Sequence, residues 1–108
     1  MKKKLKFEID LDENHLPENI SMDSSDSSAN ENNIKALFVS AWQAKKKETL
    51  RIDLWTKDMP VNEMFIFYHQ SLLSMAQTLE KSTGHERLSV ALRDYCDFFA
   101  EQTQIKKE

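Results

Sequence analysis

Residues 34–56, IKALFVSAWQAKKKETLRIDLWT, decide the fold. Two runs rich in β-branched, aliphatic and aromatic side chains, 34–42 and 49–56, flank the polar segment QAKKKE (43–48). That pattern predicts a β-hairpin. If Trp42 faces Thr49, then Leu37, Val39 and Ala41 share one face with Leu50, Ile52 and Leu54. The other face carries Phe38, Ser40, Trp42, Arg51, Asp53 and Trp55. A slip of one residue would scramble both faces, so the pattern itself selects the register. The aliphatic face is expected to turn inward and the aromatic and charged face outward.

Upstream, Leu5, Phe7, Ile9 and Leu11 alternate with Lys4, Lys6, Glu8, Asp10 and Asp12, the period of a strand with one buried face. Turn formers follow at Asp12, Glu13, Asn14 and Pro17, and a short second strand is expected around Glu18–Met22. Downstream of Trp55 the period becomes helical. Pro60 suits a first helical position, and Val61, Phe65, Tyr68, Leu72, Met75 and Leu79 recur at steps of three and four, with Met64 and Ala76 widening the stripe. Ile66 and Leu73 fall on nearly the opposite side and are expected to meet either the second helix or another subunit, which makes them candidates for a subunit contact in a homo-oligomer. Ser82-Thr83-Gly84 ends this helix, Thr83 and Glu86 have capping-box spacing, and Leu88, Ala91, Leu92, Tyr95 and Phe99 form a second apolar stripe. The order predicts an α+β domain: an antiparallel sheet of three to four strands, then two C-terminal helices packed on one face.

The chain of 108 residues is the size of one domain, and 1–108 is read as such, with a mobile polar loop at about 23–33 (DSSDSSANENN). Charge is segregated: residues 1–6 carry four lysines, whereas 7–33 carry eight acids and no Lys or Arg. The net charge of −3 argues against general nucleic-acid binding. No apolar run exceeds five residues, so neither membrane insertion nor a secretory leader is expected, and the lone Cys96 fits a reducing compartment.

Motifs for chemistry are sparse. Asp10, Asp12 and Asn14 match the start of a calcium loop, but His15 and Ser21 stand where glycine and the bidentate glutamate belong. No metal-ligand spacing links His15, His69, His85 and Cys96, and a nucleophile pair of Cys96 with His69 lacks any local signature. Gly84 is the single glycine, which excludes Gly-rich phosphate cradles. No catalytic, cofactor-binding or metal residue is therefore assigned. The candidate site is a protein-contact surface made of Phe38, Trp42, Arg51, Asp53 and Trp55, because Trp and Arg are enriched at binding hot spots.

The stretches LDENHLPENI (11–20), ETLRIDLWTKDMPVNEM (48–64), HQSLLSMAQTLE (69–80) and RDYCDFFAE (93–101) resemble the gliding motility protein GldC family. The resemblance runs from Leu5 to about Gln104, residues 21–33 apart. It implies a small cytoplasmic accessory protein of the gliding apparatus, with motility proteins as partners, no enzymatic activity and no cofactor. The alternative is a chaperone or export-assisting protein for motility components, since strands followed by two helices are similar in order to the export chaperone SecB.

Overall fold

The computed structural model describes residues 1–25 and 31–105. They form two compact units, Met1–Met59 and Pro60–Glu108. The first holds five antiparallel strands: β1 (Leu5–Leu11), β2 (Pro17–Ser24), β3 (Glu31–Ile34), β4 (Ala36–Gln43) and β5 (Glu48–Trp55). The second holds α1 (Val61–Thr83) and α2 (Glu86–Thr103). The chain is thus α+β, strands first and two C-terminal helices after, in the order the periodicities predict. The strand count is higher than expected, and the strands form two sheets, β1-β2-β3 and β4-β5. The additional strand is β3, at the end of the polar stretch. Asp23 and Ser24 close β2, so both flanks of that stretch are strand; residues 26–30, the middle of the expected mobile loop, lie outside the described residues.

In the first sheet Phe7 faces Met22 and Ile9 faces Ile20, which is fully buried. The register shifts after Asp10, so that Leu11 faces Pro17. Proline is tolerated there because it is the first residue of its strand. The β4–β5 ladder has the register read from the sequence: Leu37↔Leu54, Val39↔Ile52, Ser40↔Arg51, Ala41↔Leu50 and Trp42↔Thr49. Lys47 closes the connecting turn in the left-handed region, at φ 54°.

The helix pair is organised around small side chains. Ala76, Ser89, Cys96 and Ala100 are buried, and the Ser89 hydroxyl donates to the Ala76 carbonyl at 2.8 Å. Phe65, Tyr68 and His69 gather round the Phe99 ring at centroid distances of 6.1, 6.5 and 6.3 Å. Arg93 pairs with Glu80 at 3.1 Å. The α1 face that meets α2 therefore runs through Phe65, His69, Ala76 and Glu80, of which Phe65 and Ala76 belong to the expected apolar stripe. Backbones approach most closely where side chains are smallest. Met75 stays exposed.

The caps also differ in part. Pro60 is the N-cap of α1 rather than its first helical residue, with no side-chain cap bond. Gly84 ends α1 at φ 70°, and its N–H donates to the Glu80 carbonyl at 2.7 Å, as its position predicts. The α2 cap is His85, whose Nδ1 accepts from the Leu88 N–H at 3.2 Å. Thr83 instead donates to the Leu79 carbonyl at 2.6 Å and accepts from the His85 N–H.

A Cβ on Gly84 would meet nothing within 4 Å, so the cost of Gly84→Ala is conformational only. Denaturant titration is expected to show a loss of about 1 kcal/mol, with Gly84→Asn costing less. A loss beyond about 3 kcal/mol would mean that packing, not φ, fixes this residue.

Candidate functional site

Strand alternation puts the proposed contact residues on one face of β4–β5. Trp42 and Trp55 are 64% and 52% exposed. Phe38, facing Asp53, is half-buried. Arg51 is fixed: its guanidinium donates to Ser40 Oγ at 2.8 Å and to Asp53 Oδ1 at 2.7 Å. Trp42 faces Thr49, and Trp55 lies six residues beyond Thr49 on the same strand, so the two indoles sit roughly 20 Å apart at opposite ends of the face. The structure brings Phe38, Arg51 and Asp53 together between them.

The opposite face departs from expectation. Leu50 and Ile52 are 58% and 53% exposed and Ala41 is exposed, whereas Leu37, Val39 and Leu54 are half-buried. The aliphatic residues near the tip do not point into a core. Every residue from Ser40 to Asp53 is exposed, because a two-stranded sheet beyond its base offers both faces to solvent. Ile66 is 36% exposed and Leu73 half-buried, leaving Ile66 accessible on α1.

An element that the sequence reading did not foresee lies at the base of the hairpin. Asp12 Oδ1 accepts from the N–H groups of Asn14 and Leu16 at 2.8 and 2.9 Å, and Oδ2 from Lys57 Nζ at 3.0 Å. Lys57 also reaches Glu18 at 3.2 Å, and its N–H donates to the Pro17 carbonyl at 3.1 Å. The Thr56 N–H donates to the Lys35 carbonyl at 2.7 Å. Asp12 and Lys57 thereby tie the β1–β2 turn to the end of β5, joining the two sheets. The signal was present in the D-x-x-x-x-P turn pattern, where Asp caps its own backbone, but the partner 45 residues away was not legible. The Leu16 N–H and the Lys57 ammonium hold the Asp12 carboxyl below the usual carboxylate range. Thr56 and Lys35 do the same for Asp58, and Lys57 is raised by Asp12 and Glu18. Of the residues that match the start of a calcium loop, Asp12 and Asn14 thus build a turn and Asp12 an ion pair, while Asp10 faces Asn19 in the β1–β2 ladder.

Two hollows flank this clamp. One of about 270 Å³ is apolar and lined by Leu16, Pro17, Leu54 and Trp55. The other, about 480 Å³, is polar and lined by Asp12, Glu13, Asn14, Glu18 and Lys57. In the helical unit Cys96 is fully buried, and desolvation, then Asp97, pushes its thiol pKa up, which disfavours the nucleophilic thiolate. No helix among the described residues is long and apolar enough to cross a membrane.

Because Asp12 and Asp58 have lowered pKa values in the folded chain, their stabilisation is complete above the unfolded value of about 4 and is lost as pH falls through the folded values. Asp12→Asn is therefore expected to lower the melting temperature at neutral pH and to flatten its decline as the pH falls below about 4. An unchanged acid limb in a thermal-melt series would show that the clamp carries no stability.

A family model described as gliding motility-associated protein GldC-like matches residues 17–105, from the first residue of β2 to two residues past the end of α2. Comparison with curated proteins gave no match, and none was found among solved structures. The matched span holds the hairpin, Lys57 with its Glu18 partner, and both helices; β1 lies outside it. With more than half of the chain matched, this protein belongs to the GldC-like family of gliding motility-associated proteins.

Proposed function

We propose that this chain is a non-enzymatic, cytoplasmic accessory protein of the bacterial gliding machinery that works through protein–protein contacts. The family places it with gliding motility. The single observation that supports a contact role is the hairpin face on which Trp42 and Trp55 stand exposed beside an Arg51 already held in place. Aromatic and Arg anchors with little rotamer freedom left to lose are what a binding hot spot requires. The buried, protonated Cys96 favours the non-enzymatic reading, since the nearest approach to a catalytic pair would need its thiolate.

The chaperone reading draws on a different observation, the exposure of Leu50 and Ile52 behind the tryptophans. Apolar side chains on both faces of one projecting element could hold an unfolded segment. Suppression of client aggregation by the purified protein would favour it over the accessory reading.

The contact reading is tested by Trp42→Ser with Trp55→Ser in a gliding cell. Colony spreading and single-cell gliding are expected to fall severalfold, while circular dichroism and the melting temperature of the purified variant stay near wild type. Normal gliding by the double variant would overturn the assignment. Arg51→Ala, which removes an anchor without an indole, is expected to give a smaller defect in the same direction.

A further inference from the structure

The face of β4–β5 turned away from the tryptophans has a composition of its own. Ala41, Leu50 and Ile52 are exposed there, and the row continues toward the base through half-buried Val39 and Leu54, with no charged or hydrogen-bonding side chain from Leu37↔Leu54 to Ala41↔Leu50. Exchangeable contacts are no more apolar than ordinary surface and rely on Trp, Tyr and Arg, whereas permanent contacts between copies resemble a core cut in half. The Trp42–Arg51–Trp55 face has the first composition; the Ala41–Leu50–Ile52 face has the second.

The hairpin is also complementary to itself. A two-fold axis through the Val39↔Ile52 pair, near the middle of the ladder, lays two hairpins face to face and tip to base. Ile52 then meets Ile52 of the second copy, Leu50 meets Leu54, and Ala41 meets Leu37. The turn lysines 45–47 project about five residues beyond the axis, to the level of Lys57 in the other copy. There Asp12, Glu13 and Glu18 surround the polar hollow and outnumber Lys57. A positive tip thus reaches a negative base twice, once for each copy.

We propose that the Ala41–Leu50–Ile52 face is where a second copy of this chain docks, as a two-fold pair of hairpins laid tip to base, leaving both tryptophan faces outward. The assignment does not depend on the contact role of the tryptophans and uses the opposite face.

Sedimentation and light scattering of the full chain should give twice the chain mass. Ile52→Asp, which sets two carboxylates against each other at the axis, should weaken the pair about a hundredfold or more, and Trp42→Ser should leave it intact. Ile52→Cys supplies a readout independent of folding stability. Placed at the axis between facing sheets about 10 Å apart, two such thiols lie too far apart for a disulfide but should be bridged by a short bis-maleimide into a covalent dimer, while the buried Cys96 does not compete. A monomeric wild type, a dimer that survives Ile52→Asp, or an Ile52→Cys chain that fails to cross-link to its copy would each overturn the proposal.

Discussion

The backbone ladder between Ala36–Gln43 and Glu48–Trp55 is the constraint on which the surface chemistry depends. With a side-chain period of two, one register decides which residues share a face along the whole strand. Here that register collects the tryptophans, Arg51 and Asp53 on one side and an uninterrupted aliphatic row on the other. Because only two strands take part, neither side is fully covered toward the tip. One element therefore presents two surfaces of different chemistry, back to back across a single backbone layer.

The base of that element is held by a small number of polar contacts. The Asp12 carboxylate satisfies two turn N–H groups and an ammonium, so its loss would free backbone donors as well as an ion pair. The Thr56–Lys35 and Lys57–Pro17 backbone bonds continue the linkage between the two sheets. In the helical unit the corresponding role falls to small residues, where Ser89 bonds to the Ala76 backbone and lets α1 and α2 approach.

Much of this was legible from sequence, and what was not has identifiable causes. The hairpin register followed from alternation alone, and the end of α1 followed from the single glycine, since both are local effects. The α2 cap was misread because Thr83 and Glu86 had the familiar spacing, yet Thr83 spends its hydroxyl on the preceding turn and His85 supplies the acceptor. The face of α1 that packs on α2 was legible in part: Phe65 and Ala76 lay in the expected stripe, whereas His69 and Glu80 are polar and leave no trace in a hydrophobic period. The burial of Leu50 and Ile52 was inferred from the rule that aliphatics face inward, which fails where a sheet extends beyond any covering layer. The Asp12–Lys57 clamp is a long-range pair that local pattern cannot reveal. Of the candidate site, the residues sharing a face were found correctly; the separation of the two indoles and the fixing of Arg51 needed coordinates.

The central claim, that the hairpin offers its aromatic face to solvent, is tested most directly by intrinsic fluorescence, because Trp42 and Trp55 are the only tryptophans in the chain. The account predicts a red-shifted, water-like emission that iodide quenches efficiently at both sites, in the folded protein as in the denatured one. A blue-shifted emission resistant to iodide, which changes only on unfolding, would contradict it.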